Sequence, residues 1–313
     1  MKFLFLMDPL EEVLFEHDTT FSLMLESHKR GYEVYYVPKN GISLLDGKMY
    51  FHTIKVTPQK NKEIPFIKEM AICLSQDEID ALFIRPNPPF DEEYLTNTWL
   101  LDYLPKRIVA INSPNGIRSV NEKIFTAQFK QFTPPTLISC CKEEMILFIL
   151  QYKEIIIKPV NAFGGQSIFH FKKDNDNINV AIETLSLGYR RPIMLQEYVK
   201  DAVNGDKRIL LLDGKILGSI LRVHGLNDHR NNLCVGGHFA PVKATSRDKK
   251  IVSTLRPHLK KHGLHFVGID IIGDYLTEIN VTSPTCLQEM NRAYNVHLEP
   301  QVIDFVVAKL DLS

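Results

Sequence analysis

Long hydrophobic runs are missing from this chain. No stretch approaches the ~18 apolar residues of a membrane-spanning helix. An excess of one charge is missing too. Lys plus Arg and Asp plus Glu stand at 37 each, so the totals give no electrostatic pull toward nucleic acid or an anionic membrane. Neither is expected as a partner, although totals do not exclude a local basic groove. Cysteine is scarce: Cys73, Cys140, Cys141, Cys234 and Cys286 are odd in number and contain no CxxC. Adjacent Cys140 and Cys141 do not have a zinc spacing. Reduced thiols in a cytoplasmic protein, with no structural disulfide, are expected. The opening MKFLFLMDPLEEV lacks a small-residue cleavage site, and Asp8, Glu11 and Glu12 follow at once. It reads as a first strand rather than a secretory signal. There is no internal repeat and no low-complexity tract.

What is present is ordinary soluble composition, 44% apolar and 24% charged, in a chain of 313 residues. That length suffices for two domains, or one large domain with a lid. The first third alternates strand and helix patterns. KFLFLMD (2–8), EVYYV (33–37), DALFIR (80–85) and RIVAIN (107–112) read as strands. TTFSLMLESHKRG (19–31) reads as a helix with Phe21, Met24, Leu25 and His28 on one face, ending at Gly31. A second helix is expected from about Glu92 to Tyr103. This order argues a parallel sheet with helices on both faces, whose ligands gather beyond the strands' carboxyl ends, where Asp8 and Arg85 fall. Residues 41–65 suggest a short hairpin and a polar loop. SPNG (113–116) marks a boundary, and a helix is expected over about 120–129.

The remainder mixes helices with strands of antiparallel character. EIIIKPV (154–160) and SIFHF (167–171) flank a glycine loop, and PIMLQEYV (192–199) is a strand with a polar end. RILLLDGKILGSILRV (208–223) reads as a hairpin around Asp213-Gly214. The long loop RVHGLNDHRNNLCVGGHF (222–239) is rich in Gly, Asn and His, and loops of that length are usually functional or disordered. Ser246 is expected to cap a helix that runs to Gly263 and is kinked at Pro257.

GIDIIGDYLTEINVTSP (268–284) poses the chemical question, because it is built like a buried strand pair yet carries Asp270, Glu278 and Asn280. Buried carboxylates need a positive partner. Glu278 and Asn280 lie two apart and share a strand face. With a two-residue turn at Gly273-Asp274, Asp270 would sit opposite Thr277 and point away from Glu278. Convergence therefore predicts a three-residue loop or a bulge. Converging oxygens of this kind suit a hard cation such as Mg²⁺ rather than zinc; the alternative is a solvated face with Asp270 at a strand end. KPVNAFGGQSIF (158–169) is not a Walker A loop, but its paired glycines allow backbone N–H groups to approach phosphate; a plain turn is the alternative. Lys158, inside an apolar run, needs either an anion or a solvent-facing position. Glu197 in LQEYV could help to read a nucleobase. GDKR (205–208) and DHRNN (228–232) supply arginines suited to carboxylate or phosphate, or simply surface charge.

The joint order of these features resembles the ATP-grasp carboxylate–amine ligases and, more closely, the bacterial-type glutathione synthetases. The resemblance is carried by MDP (7–9), DTTF (18–21), NPPFD (87–91), NEKIFTAQF (121–129), IIIKPV (155–160), FGGQSIF (163–169), GDKRILLLDG (205–214) and FVGIDIIGDYLTEINVTSPTC (266–286). It implies an α/β N-terminal parallel-sheet domain (1–122) and an α+β ATP-grasp domain (123–308). A lid subdomain would span about 124–196, with a tail at 309–313. It further implies that Lys123 and Lys158 hold ATP phosphates under a mobile loop containing Gly164, Gly165 and Gln166. Glu197, Tyr198 and Val199 would receive adenine, and Asp206 would face the ribose. Asp270, Glu278 and Asn280 would ligate Mg²⁺ or Mn²⁺. Arg208, Arg230 and Asn232 would meet the substrate carboxylate and the transferred phosphoryl group. Asp18, Thr19 and Thr20, with Ser283, Pro284 and Thr285, would contact substrate, and residues 223–238 would close over it.

The implied reaction is ATP-dependent joining of γ-glutamylcysteine to glycine by a homotetramer. Ligation of a different carboxylate and amine, or nucleotide-dependent regulation without turnover, are the alternatives. The chain departs from the family pattern at Asn161-Ala162-Phe163, at Pro86-Asn87, and in a lid without a second arginine. These departures bear on donor and acceptor choice more than on ATP chemistry.

Overall fold

The computed structural model describes residues 1–223 and 237–312. Its first layer contains β1 (Lys2–Leu6), α1 (Thr19–Lys29), β2 (Glu33–Val37), β3 (Ile42–Leu45), β4 (Lys48–Pro58), β5 (Phe66–Ser75), β6 (Ala81–Ile84), α2 (Glu92–Leu101), β7 (Val109–Ile111) and α3 (Pro114–Ser119). The strands order as β3-β4-β2-β1-β6-β7, with β5 added to β4. The run β2-β1-β6-β7 is parallel, as the strand–helix alternation predicts. The chain leaves β1 toward β2 on one side and returns to β6 on the other. That reversal opens a crevice beyond β1 and β6, where Asp8 and Arg85 follow their strands.

Several expectations are corrected. Residues 41–65 hold the expected hairpin, β3–β4, and a polar loop over 59–65; what the sequence pattern does not show is that β5 follows the loop and returns along β4 as a long ribbon. β5 escapes sequence reading because residues 67–73 are all exposed, so there is no alternation to detect. In α1 the buried face includes Leu23 and Ser27, and His28 is exposed. The helix expected over 120–129 is only a 3₁₀ turn from Ile124 to Phe129. Asn121 Oδ1 accepts the N–H groups of Lys123 and Ile124, a local bond that competes with helix formation.

The second layer holds β8 (Thr136–Ser139), α4 (Lys142–Gln151), β9 (Glu154–Pro159), β10 (Phe169–Lys172), α5 (Ile178–Leu185) and β11 (Ile193–Glu197). Its antiparallel sheet runs β10-β9-β11-β8. Met145, Ile149, Ile178 and Ile182 from the two helices bury Ile155, Ile157, Leu195 and Phe171 on one face. The other face, carrying Lys158, looks toward the third layer.

That third layer holds β12 (Asp206–Leu212), β13 (Lys215–Val223), β14 (His238–Pro241), α6 (Ser246–Lys261), β15 (Phe266–Ile272), β16 (Tyr275–Asn280), α7 (Leu287–Tyr294) and α8 (Glu299–Leu310). Its sheet, β14-β13-β12-β15-β16, is antiparallel throughout. Thr245, not Ser246, caps α6, in a reciprocal capping box with Asp248, and Pro257 lies inside the helix. Buried Asn112 ties the first layer to the third. Its Oδ1 accepts from the His265 and Phe266 N–H groups, and its Nδ2 donates to the Phe266 and Val281 carbonyls, all at 2.8 Å. Among the described residues, no helix is long and apolar enough to cross a membrane.

Candidate active site

The β15–β16 hairpin turns at Gly273-Asp274 with Ile272 opposite Tyr275 and Ile271 opposite Leu276. The register then slips, so that Asp270 lies opposite Glu278 and Gly268 opposite Asn280. This is the irregularity that convergence required. Thr277 is the extra residue, and its Oγ1 donates to the Asp270 carbonyl at 3.1 Å. The bulge places Asp270, Glu278 and Asn280 on one face, with Asn280 Nδ2 3.3 Å from Asp270 Oδ2.

The positive partners come from the neighbouring strands. Arg208 on β12 lies opposite Asp270 and donates to both its oxygens, through Nε at 2.5 Å and through an NH₂ nitrogen at 2.8 Å. Arg222 on β13 makes a two-point pair with Asp206 and also reaches Asp270 Oδ2 at 3.1 Å. Burial alone would push the Asp270 carboxyl up, but Arg208 and Arg222 together hold it well below the usual carboxylate range. Asp206, expected toward a ribose, is thus engaged by an arginine that sequence reading did not single out. The β12–β13 hairpin is itself bulged at Leu210–Leu211, so counting straight back from Asp213-Gly214 misses the pairing of Asp206 with Arg222.

Lys123 and Lys158 approach this face from two sides. Lys123 Nζ is 3.3 Å from Glu278 Oε1 and 2.5 Å from the Ala162 carbonyl in the glycine loop. Lys158, on β9, is buried, with Nζ 3.4 Å from Gln196 Oε1. Burial pulls the Lys158 ammonium down to about 8; Glu278 opposes that shift and Lys123 adds to it. Gly164 and Gly165 adopt φ of 61° and 77°, in the left-handed region that favours glycine. Gln166 N–H closes the turn on the Phe163 carbonyl, and Asn121 Nδ2 holds Asn161 at 3.2 Å.

Strand alternation separates two neighbours on β11. Gln196 pairs with Ile156 and shares the face of Lys158, whereas Glu197 pairs with Ile155 on the helix-covered face. The side chain turned to the cleft at this strand end is therefore Gln196, while Glu197 offers its backbone there. Tyr198 follows, its N–H donated to the Glu154 carbonyl, and Val199 leads into the turn Lys200–Asn204.

At the crevice of the first layer, Asp18 caps α1 by accepting the Phe21 N–H. Thr19 Oγ1 meets the Leu287 N–H at 3.4 Å and Thr20 Oγ1 accepts from Arg85 Nε at 3.1 Å. Arg85 also donates to the Pro284 carbonyl at 2.8 Å, which draws Ser283, Pro284 and Thr285 to the same floor. Its remaining NH₁ nitrogen is buried without a hydrogen-bond partner, and burial pulls the guanidinium down to about 10. Position beyond β6 was the only sequence signal for Arg85. Arg230, Asn232 and Cys234 lie outside the described residues, as does most of the 223–238 segment. Cys73, Cys140, Cys141 and Cys286 are free thiols.

Two carboxylates and an amide, with Asp270 held by two arginines and the group faced by two lysines, form an oxygen-donor set that suits a hard divalent cation beside a polyanion. The fold recurs in solved structures. It superposes on D-cycloserine synthetase DcsG with a TM-score of 0.68 at 11% identity, over 97% of this chain and 99% of that one. With the D-alanyl-alanine synthetase A of Vibrio cholerae the TM-score is 0.61 at 13% identity, over 100% and 99%. These likenesses define an ATP-grasp fold.

Residues 1–118 match the family model for the prokaryotic glutathione synthetase N-terminal domain, and 122–295 match that for the prokaryotic glutathione synthetase ATP-grasp domain. The chain is 38% identical over 308 residues to a glutathione synthetase of Vibrio cholerae, covering 97% of this chain and 96% of that protein. It is 37% identical over 308 residues to the Escherichia coli K12 glutathione synthetase, covering 97% of each. The chain belongs to the prokaryotic glutathione synthetase family.

Proposed function

We propose that this chain is an ATP-dependent carbon–nitrogen ligase that joins γ-glutamylcysteine to glycine, giving glutathione, ADP and phosphate. The observation that carries the reading is the bulged β15–β16 register, which sets Asp270, Glu278 and Asn280 on one face beside Arg208 and within reach of both lysines.

A carboxylate and an amine do not condense unaided in water. Phosphorylation of the donor carboxylate supplies a leaving group but first brings two anions together. Lys123, Lys158 and Arg208 offset that repulsion where charge develops. Asp270, Glu278 and Asn280 would hold Mg²⁺, or Mn²⁺, which when bound supplies charge neutralisation and orientation of the terminal phosphates. Gly164, Gly165 and Gln166 would cover the phosphates. The backbone at Glu197, Tyr198 and Val199 would take adenine, with Asp206 toward the ribose. Arg85, with an unpaired buried nitrogen among Asp18, Thr19, Thr20 and the 283–285 turn, would receive a carboxylate of the donor peptide. By the family resemblance, Arg230 and Asn232 would meet the transferred phosphoryl group and the substrate carboxylate. Excluding water at that point lets the amine, not water, attack the acyl phosphate. The family resemblance also supports a cytoplasmic homotetramer, which light scattering on the purified protein measures.

Phosphate release with ATP, Mg²⁺, γ-glutamylcysteine and glycine tests the reaction. Release that requires both amino-acid substrates, with glutathione as product, is expected. No release with this pair overturns the assignment, and release with another carboxylate–amine pair reassigns the substrates.

A further inference from the structure

The face of β8–β11 that carries Lys158 ends, away from the phosphate side, in a stacked pair of rings. His170 on β10 and Tyr198 beyond β11 lie with centroids 4.0 Å apart and planes 18° apart. β10 and β11 flank β9, so the rings meet across it: His170 lies opposite Ile156, and Tyr198 N–H bonds the Glu154 carbonyl. His170 Nε2 sits 3.2 Å from Glu154 Oε2, which fixes the imidazole over the strand. All three side chains share the face of Lys158 and Gln196, because residues opposite one another in a ladder, and residues two apart along a strand, point the same way.

Neither ring belongs to the core beneath. That core, between the sheet and α4 and α5, lies on the opposite face. The His170 side chain keeps 25% of its surface exposed and Glu154 keeps 35%. A flat aromatic wall held by a carboxylate therefore stands at the edge of the cleft. It joins the strand that leaves the glycine loop to the segment where the chain crosses from the second layer into the third.

We infer that His170 is a positioning residue for the nucleotide. By stacking on Tyr198 and bonding Glu154, it fixes the 197–199 backbone in the place that receives the purine edge. The inference rests on the nucleotide reading above, in which that backbone takes the base. It adds a residue outside the phosphate- and metal-binding set and assigns it to affinity for the base rather than to chemistry. Stacking needs an aromatic ring at 170, whereas the Glu154 contact needs a donor nitrogen. Replacement by phenylalanine therefore keeps most of the positioning, and replacement by alanine removes it.

Equilibrium binding of ATP and of GTP, each with Mg²⁺ and without other substrates, tests this on the full chain. His170→Ala is expected to weaken ATP about threefold to tenfold, the range of one aromatic contact. It should also lower the ratio of ATP to GTP affinity, while His170→Phe stays within about twofold of the parent. In the ligation assay the alanine variant is expected to raise KM for ATP with kcat unchanged. An unchanged ATP affinity in His170→Ala overturns the inference. So does an equal loss in both variants, or an equal loss for ATP and GTP, which would mark the pair as mere bracing of the sheet. A parent chain that binds ATP but joins no γ-glutamylcysteine to glycine removes the ligase reading alone.

Discussion

At the scale of single residues the site is governed by which charges have partners. Asp270 neutralises parts of two buried arginines, so Asp270→Asn strands Arg208 and leaves Arg222 with Asp206 alone. Breaking a buried pair from one side costs about 3–5 kcal/mol, and loss of a charge-stabilising group costs about a hundredfold or more in rate. Denaturant unfolding should show the first effect and phosphate release the second. Lys158 yields a pH prediction. Its nucleotide-free value of about 8 lies below the usual lysine value of 10.5 because the charge is buried. Between those two values the unfolded chain binds the extra proton, so this group's contribution to stability rises with pH across that window and is most unfavourable below pH 8. Phosphate favours the charged form. ATP affinity should therefore weaken as pH rises through about 8, and binding there should take up a proton. Calorimetry at that pH, in two buffers of different ionisation enthalpy, measures the uptake, and Lys158→Gln should abolish it.

Elements position these residues through register more than through length. Two hairpins of the third layer are bulged, at Leu210–Leu211 and beside Asp270, and each bulge turns a functional side chain onto the shared face. Gly205 guards the entry to the first of them. Its φ is 109°, and a Cβ there would lie 2.3 Å from the Arg222 carbonyl oxygen. Gly205→Ala should therefore displace the Asp206–Arg222 rung and cost about 1–3 kcal/mol. Turnover should fall more than thermal stability suggests, which paired melting and phosphate-release measurements would show. The bulge at Asp270 was legible in outline, because the alternation of GIDIIGDYLTEIN cannot bring Asp270 and Glu278 to one face without it. The bulge at Leu210 was not, since LLLDGKILG gives no polar mark by which to count.

Across the whole molecule, the cleft exists because the three layers are held at fixed positions by a few buried polar contacts. Asn112 makes four of them between the first and third layers. Asn112→Ala leaves two N–H groups and two carbonyls short of a partner in a buried place, at about 1–3 kcal/mol for each group left unmade. A loss of at least about 3 kcal/mol on chemical unfolding is the expected outcome. A smaller loss would mean that water or a neighbouring group replaces the side chain.

The sequence alone determined the parallel first sheet, the antiparallel hairpins, the glycine loop and the oxygen-donor trio. Each is written in local periodicity, turn residues or a polar residue set in an apolar run. Tertiary structure decided what local signals cannot carry: that Arg222 rather than solvent faces Asp206, that Gln196 rather than Glu197 turns to the cleft, and that Arg85 lies under the 283–285 turn. Those are contacts between strands far apart in the chain. Their partners are chosen by register shifts and by the packing of one sheet on another, and no single segment contains either.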